Sequence, residues 1–279
     1  PGVRRGLVAV LGQPVVQLAR LVERRAVRVD RRLRVGREHQ GAVRAQVRVE
    51  GGPPSSSRYT AVHTLEKGKW LMASVRETAG ENPFNLAHLA DQVKLVHEHA
   101  EVIHLDIMDG HFVPPIALGT VVVASLRPHT DRTMHGHLMV DAPEAYFEEL
   151  AEAGLDVVSF HHEAVADPVI AIDKARAAGL RAGVTINMGT SVQDVFRYLD
   201  RVDDVMLMSI EPGWSGQTLD PAVYPRIEAV RAEIDRRGLD IDIEIDGGVK
   251  VDNARRAVEA GATVLVSASG IFQAADPTE

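Results

Sequence analysis

Short apolar runs alternate with amphipathic stretches from Trp70 to the end of the chain. The apolar runs are rich in β-branched residues, and they predict strands near residues 70–75, 101–107, 132–138, 156–160, 180–186, 203–209, 240–246 and 263–267. The stretches between them carry apolar residues at helical spacing, and they predict helices near residues 84–99, 116–127, 143–153, 167–178, 191–199, 221–237 and 250–260. Glycine follows several of these stretches, as is typical of helix C-termini.

This alternation predicts an α/β protein with a (β/α)8 TIM-barrel fold. Eight strands alternating with helices over about 210 residues fit a closed barrel better than an open doubly wound sheet. Only seven residues follow Phe272, ending in Asp276-Pro277-Thr278-Glu279. We therefore expect the last barrel helix to be truncated: either the chain is a fragment, or the barrel closes without that helix.

The first 68 residues differ in composition from the rest of the chain. Up to Trp70 there are 15 Lys and Arg against 5 Asp and Glu, whereas the remainder has 16 against 34. We predict a basic, Arg-rich extension over residues 1–68 and a barrel over residues 69–279. The extension is expected to be poorly ordered or to be an artefact of the assigned start site, since the chain opens on Pro1 and not on Met.

A basic arm that binds nucleic acid is an alternative function for this extension. The segment has neither interleaved aromatic residues nor a recognisable motif, so we do not expect nucleic acid as a partner. The whole chain has no cysteine, which excludes disulfides and thiolate metal ligands. No apolar run approaches the roughly 18–20 residues that a membrane span needs. We therefore predict a soluble protein with no membrane partner, and we take the cytoplasm as its default compartment.

Polar side chains recur where predicted strands end. They are His104 and Asp106 in HLDIMDG, His137 in HGHLMV and Asp246 in EIDGGV. Each motif alone is compatible with a buried strand followed by a turn, or with a structural histidine. In a barrel, however, the C-terminal ends of the strands meet at one face, so the four residues can converge. Two imidazoles and two carboxylates suit one divalent metal ion, and we expect Zn, Fe, Mn or Co.

Glycine-rich loops follow the sixth, seventh and eighth predicted strands. The first is Glu211–Gln217 (EPGWSGQ), the second contains Gly247-Gly248, and the third is Ser267–Gly270. Each could be only a turn, but barrels often bind phosphate through the loops after the last strands, and glycines let backbone N–H groups approach it. We therefore predict a phosphorylated substrate. The candidate substrate-binding residues in these loops are Gly213, Trp214, Ser215, Gly216, Gly247, Gly248, Ala268 and Ser269.

Methionines and further histidines accompany these clusters. Met108, Met139 and Met208 lie at strand ends, where they either fill gaps in the core or form an apolar lid over the metal. His161 and His162 end the fourth predicted strand. We expect one of these two histidines to face the mouth of the barrel, and we interpret both as supporting or structural residues.

The segment from Trp70 to Phe272 resembles the ribulose-phosphate 3-epimerases, because HLDIMDGHFVP, HLMV, EPGWSGQ and EIDGGV occur in that family's order and spacing. The resemblance implies that His104, Asp106, His137 and Asp246 hold the metal. It also implies that Asp106 and Asp246 are the catalytic acid and base, that Ser74 on the first strand binds substrate, and that His137 and Asp246 contact substrate as well. A homo-oligomer, dimeric or hexameric, is expected on the same ground.

The implied reaction interconverts D-ribulose 5-phosphate and D-xylulose 5-phosphate. Asp106 takes the C3 proton, an enediolate forms, and Asp246 returns a proton to the other face. This chain departs from the family at Ala73, in the loop 76–82, at Ser215-Gly216 and at Ala268-Ser269. The alternatives are therefore a 3-epimerase of a hexulose 6-phosphate such as allulose 6-phosphate, and a non-catalytic phosphate-binding barrel.

Overall fold

Within residues 72–75 and 89–272, which the computed structural model describes, eight parallel strands close into a barrel. The first strand pairs with the second through Ser74 and His104, and with the last through Met72 and Val266, so the eight parallel strands close on themselves. The strands are β1 (Met72–Val75), β2 (Val102–Asp109), β3 (Thr133–Met139), β4 (Val157–His161), β5 (Arg181–Ile186), β6 (Asp204–Met208), β7 (Asp242–Asp246) and β8 (Val264–Ser267). The predicted TIM barrel and all eight predicted strands are confirmed.

Helices follow the strands on the outside of the barrel. They are α1 (Leu89–Val96), α2 (Thr120–Leu126), α3 (Phe147–Glu152), α4 (Pro168–Ala177), α5 (Gln193–Phe196), α6 (Val223–Arg237), α7 (Val251–Ala260) and α8 (Ser269–Phe272). Short 3₁₀ segments lie at Arg127–His129, Pro143–Ala145, His162–Ala164 and Leu199–Arg201. The chain beyond Phe272, where the truncated last helix was predicted, lies outside the described residues, as do the extension 1–68 and the loop 76–82.

Three helix predictions were wrong in extent. The helix predicted over 143–153 is divided into the 3₁₀ segment Pro143–Ala145 and α3 (Phe147–Glu152). The helix predicted over 116–127 begins only at Thr120, because the two-residue strand Ile116–Ala117 turns back and pairs antiparallel with the end of β2. The helix predicted over 191–199 is reduced to α5. There the chain tightens into 3₁₀ geometry, in which the Tyr198 N–H donates to the carbonyl of Val195, three residues back.

Local sequence signals set the ends of several helices. Asp167 caps α4 by accepting a hydrogen bond from the Val169 N–H at 2.9 Å, and Pro168 occupies the first helical position. At the C-terminus of α6, Gly238 has a φ of 66°, a left-handed conformation that glycine adopts without steric cost. These signals fix where α4 begins and where α6 ends.

The barrel strands present one face to the helices and the other to the barrel interior. On β2, Ile103 and Leu105 belong to the main apolar core, which also contains helix residues such as Val93, whereas His104 and Asp106 alternate with them on the inner face. The inner face of β8 is apolar, since Val264 and Val266 pack with Val102. In the part of the chain that the structure describes, no helix is long and apolar enough to cross a membrane.

Candidate active site

The four predicted metal ligands converge at the C-terminal end of the barrel. β2 contributes His104 and Asp106, β3 contributes His137 directly opposite Asp106, and β7 contributes Asp246 as its last residue. One ligand atom from each lies within 4.8 Å of all the others, and all four side chains are buried. The convergence follows from the register, because residues two apart on a strand share a face and parallel strands end at the same side.

The contacts within this cluster are short and polar. His137 Nδ1 lies 2.9 Å from Asp106 Oδ1 and 3.4 Å from Asp246 Oδ2, and His104 Nε2 lies 3.5 Å from Asp106 Oδ1. A divalent ion bonded to nitrogen and oxygen at about 2.0–2.2 Å bridges donor atoms at separations of this size. The donor set and its spacing therefore fit a single divalent metal ion, and the cluster could hold one.

The carboxylates in and beside the cluster favour the protonated, positively charged form of its two histidines. Burial alone would lower the pKa of His104, but its contacts with the carboxylates of Asp106 and Glu244 raise that pKa to about 10. The pKa of His137 is raised against the effect of burial by Asp106 and Asp246. A bound metal ion would replace the protons that these imidazoles attract, so its affinity is expected to increase with pH.

Residues that sequence reasoning did not assign lie directly behind the predicted ligands. Glu244 Oε1 is 3.4 Å from His104 Nδ1, and Glu244 Oε2 is 3.4 Å from His135 Nδ1. Glu244 was missed, and the signal that could have found it is its position two residues before Asp246 on the same face of β7. His135 lies two residues before His137 and on the same face of β3, but its partner could not be identified from the sequence.

The two histidines at the end of β4 have different surroundings. His161 Nε2 lies 2.9 Å from His137 Nε2, and His161 Nδ1 lies 3.4 Å from the carboxylate of Glu163. Burial lowers the pKa of His161 to about 4, so that it stands as a neutral imidazole beside His137, a predicted ligand. His162 contacts the hydroxyl of Tyr198 at 2.9 Å instead. His161 thus adjoins the cluster, and His162 does not.

A cavity lined largely by glycine and small side chains adjoins Asp246. Its lining includes six of the predicted substrate-binding residues, from the loops after β6, β7 and β8: Ser215, Gly216, Gly247, Gly248, Ala268 and Ser269. Gly213 does not line it but lies against Val113 of the loop after β2. Trp214 is partly exposed outside the lining. The backbone of Ser74 pairs with His104 at the end of β1, which places that residue beside the cluster.

The predicted methionines are buried near the mouth. Met108 and Met139 pack with Val113, Ala117 and Phe112, which belong to the segment that turns back after β2. In a separate cluster, Met208 packs with Met206 and Ile210. The ring of Phe112 lies 4.7 Å from that of His161, so apolar side chains border the polar cluster on this side.

The fold is a closed (β/α)8 barrel. A buried His2Asp2 cluster lies at the C-terminal ends of its strands, beside a glycine-lined cavity. This combination is typical of the class of barrel enzymes. Residues 82–272 match the model of the ribulose-phosphate 3 epimerase family. This chain therefore belongs to the ribulose-phosphate 3-epimerase family, and it is an isomerase of the epimerase type.

Individual relatives agree with this assignment. The ribulose-phosphate 3-epimerase of Synechocystis sp. is 39% identical over 198 residues, which cover 70% of this chain and 86% of that protein. The enzymes of the same name from Mycobacterium tuberculosis and Bacillus subtilis are 41% and 39% identical, over 69% of this chain and 84% and 89% of their own lengths.

Solved structures share the fold at lower identity. A 3-hexulose-6-phosphate synthase aligns with a TM-score of 0.55 and 20% identity, covering 74% of this chain and 94% of its own. A mutant tryptophan synthase α-subunit from Pyrococcus furiosus aligns with a TM-score of 0.55 and 16% identity, over 75% and 91% of the two chains. At these identities the likeness concerns the barrel fold alone.

Proposed function

We propose that this protein is a metal-dependent 3-epimerase that interconverts D-ribulose 5-phosphate and D-xylulose 5-phosphate through an enediolate. The observation that carries the proposal is the buried cluster of His104, Asp106, His137 and Asp246, which adjoins a glycine-lined cavity through Asp246. Relatives that are 39% and 41% identical to this chain are named ribulose-phosphate 3-epimerases, and these names support the same substrate.

Inversion at C3 needs two groups that exchange protons with opposite faces of the carbon. Asp106 on β2 and Asp246 on β7 are the two carboxylates of the cluster, and they reach it from different strands. In the proposed mechanism Asp106 removes the C3 proton from one face, and Asp246 donates a proton to the other face. A divalent ion held by the four residues would act as a Lewis acid that polarises the C2 carbonyl and makes the C3 proton more acidic.

The substrate's phosphate is proposed to bind in the glycine-lined cavity. Its lining loops offer backbone N–H groups with little side-chain bulk, which suits an anion that is recognised by the main chain. We assign substrate contacts to Ser74 and to Gly213 and Trp214 at the rim from the family resemblance. The metal is proposed to be Zn, Fe, Mn or Co, since this donor set suits several divalent ions.

We place the activity in residues 69–279 and expect a chain that lacks residues 1–68 to retain it. We do not expect nucleic acid to be a partner. That view would be contradicted if the full chain were retained on DNA in a salt-dependent manner and if this retention disappeared when residues 1–65 were removed. A homo-oligomer and a cytoplasmic location remain predictions from the sequence.

The decisive experiment is an epimerase assay on the purified chain with ribulose 5-phosphate, before and after treatment with a chelator. Zn, Fe, Mn or Co is then restored separately, and allulose 6-phosphate is assayed in parallel. Chelator-sensitive turnover of the pentulose phosphate is expected. Turnover of the hexulose phosphate alone would keep the reaction type and replace the substrate. If neither substrate turns over with any metal, a non-catalytic phosphate-binding barrel becomes the better interpretation.

A further inference from the structure

A second set of polar side chains fills the barrel interior beneath the candidate metal cluster. We propose that Glu244, His135, Ser159 and Asp204, here called the interior network, position His104 for metal binding. They are positioning residues, since none of them belongs to the four proposed metal ligands. The inference rests on the proposed function, because it concerns the same metal site.

The network touches the cluster through the carboxylate of Glu244 and through the ring of His135, whose centroid lies 5.2 Å from that of His104. Glu244 lies between two imidazoles, with Oε1 3.4 Å from His104 Nδ1 and Oε2 3.4 Å from His135 Nδ1. Its side chain is buried, and within the described residues neither oxygen meets full hydrogen-bond geometry with any group. A buried carboxylate is costly unless charge or hydrogen bonds compensate it, and the two imidazoles that flank Glu244 at 3.4 Å are placed to do so.

In the structure, His104 turns Nδ1 toward Glu244 and Nε2 toward Asp106. A carboxylate beside Nδ1 favours the tautomer that carries its proton on Nδ1. The other nitrogen, Nε2, is the one that lies 3.5 Å from Asp106 Oδ1 inside the cluster. With the proton held at Nδ1, the Nε2 lone pair faces the cluster, where a metal ion would bind. Metal-ligating histidines commonly have their other ring nitrogen bonded to a carboxylate in this way.

The far end of the network is anchored by two short hydrogen bonds. His135 Nε2 lies 2.8 Å from Ser159 Oγ, and the Ser159 hydroxyl lies 2.8 Å from Asp204 Oδ1. All three side chains are buried. Burial also raises the pKa of Asp204 well above its usual range, which favours the protonated form and keeps a second negative charge out of the interior. His135 is thereby held in one orientation against Glu244.

A glycine provides the space for this anchor. Gly183 on β5 pairs with Ser159 on one side and with Asp204 on the other. A Cβ atom at Gly183 would lie 2.1 Å from Ser159 Oγ and 2.1 Å from Asp204 Oδ1. The side chains from β4 and β6 therefore meet across a residue that has none. A glycine in a strand interior is otherwise unfavourable, and here it has a specific structural consequence.

The test measures metal affinity directly, by competition between the purified full-length protein and a chromophoric chelator for Zn²⁺. Glu244→Gln keeps the size of the side chain but replaces one carboxylate oxygen by an amide donor, which cannot accept from an imidazole N–H. We expect its Zn²⁺ affinity to fall about 10- to 100-fold, the usual effect of losing such a partner. Ser159→Ala leaves Glu244 in place and cuts the anchor, so a smaller loss is expected.

Thr185→Val is the matched control. Thr185 is buried on β5, two residues from Gly183, and its hydroxyl contacts the sulfur of Met206 at 3.6 Å, so this variant perturbs the interior without touching the network. Its Zn²⁺ affinity should stay within about threefold of wild type, since the network is intact. Excess metal should restore epimerase turnover in Glu244→Gln, because a positioning defect weakens binding while general damage would not respond to metal.

The outcomes separate the two proposals. Wild-type affinity in both Glu244→Gln and Ser159→Ala, with active wild-type enzyme, would overturn the interior network and leave the proposed function standing. If the wild-type protein binds none of Zn²⁺, Fe²⁺, Mn²⁺ and Co²⁺ in the same competition, both proposals are overturned. If Glu244→Gln does not fold, as judged by its thermal melting, Ser159→Ala and Thr185→Val decide: the network is supported only if Ser159→Ala binds Zn²⁺ more weakly than Thr185→Val.

Discussion

The two halves of the barrel mouth are built in different ways. The half formed by β2, β3 and β7 consists of buried side chains, and His104, Asp106, His137 and Asp246 contact one another there. The half formed by the loops after β6, β7 and β8 consists largely of backbone around a small cavity. Side-chain chemistry thus determines what the first half can bind. What the second half can bind depends on the conformation of the main chain and on the room that its small residues leave.

The backbone half leaves little room for substitution. Gly247 has a φ of 117°, and a Cβ atom there would lie 2.3 Å from the Ile210 side chain. Gly248 has a φ of 64°, and its Cβ would lie 2.4 Å from the backbone nitrogen of Leu219. The buried Ser209 hydroxyl donates to the carbonyls of Asp246 and Gly247, so the point where the two halves join is fixed as well.

The largest effect is expected from Asp246→Asn in the side-chain half. The substitution keeps the size of the residue and removes both the charge and the ability to exchange the proton, so kcat should fall by about 10³-fold or more. Asp106→Asn should behave similarly. Steady-state kinetics on ribulose 5-phosphate, with thermal melting to verify folding, measures the effect.

Asp242→Asn is the control for that experiment. Asp242 lies on the same strand, four residues before Asp246 and at the opposite end of the barrel, where it accepts a hydrogen bond from the Thr263 hydroxyl at 3.2 Å. Its kcat should stay within about twofold of wild type because it is remote from the chemistry. Normal turnover by Asp246→Asn would remove Asp246 from the mechanism.

A smaller effect, of a different kind, is expected from Gly248→Ala in the backbone half. The added methyl group would push against the backbone of Leu219 and Gln217, and would shift the loops proposed to hold phosphate. We expect KM to rise about 10-fold with a smaller change in kcat, as for a loss of binding that is uniform along the reaction. Initial-rate measurements over a range of substrate concentrations separate the two constants.

Gly179→Ala tests whether strain alone explains that result. Gly179 has a φ of 90°, so alanine is strained there too, but a Cβ atom would have nothing within 4 Å, and the residue follows α4 at the end of the barrel away from the mouth. Alanine should lower the free energy of unfolding by about 1–2 kcal/mol and leave KM unchanged. An equal rise in KM for both variants would contradict a specific role of Gly248.

The same contrast explains what could be predicted from the sequence. The strands and the four metal-ligand candidates were predictable, because period-two patterns place residues such as His104 and Asp106 on one face and the barrel brings the strand ends together. The antiparallel strand Ile116–Ala117 could not be predicted, since it depends on a turn of the backbone and not on a pattern of apolar and polar residues. The contact between Glu244 and His135 could not be predicted either, because residues on β7 and β3 meet only across the closed barrel.

The smallest effect is expected from Glu163→Gln, which changes a residue behind His137 at the rim of the side-chain half. There Glu163 lies 3.4 Å from His161, which in turn contacts His137 Nε2. The Glu163 side chain is 25% exposed, whereas that of Glu244 is 1% exposed. Water can replace part of the lost contact in Glu163→Gln, so Zn²⁺ affinity should fall only about two- to fivefold, well below the effect expected for Glu244→Gln.

The pH dependence of stability gives this last variant a second measurement. Burial alone would raise the pKa of Glu163, but hydrogen bonds from His161, Thr190 and the Asn187 backbone lower it from 4.5 to about 2. The stabilisation by the ionised carboxylate is therefore complete above the unfolded-state value near 4.5, and it is lost as the pH falls toward 2. Wild type should be more stable than Glu163→Gln at pH 7, and the difference in melting temperature should shrink between pH 4.5 and 2. A difference that is independent of pH would mean that Glu163 stabilises the rim behind the proposed ligand His137 by its shape and not by its charge.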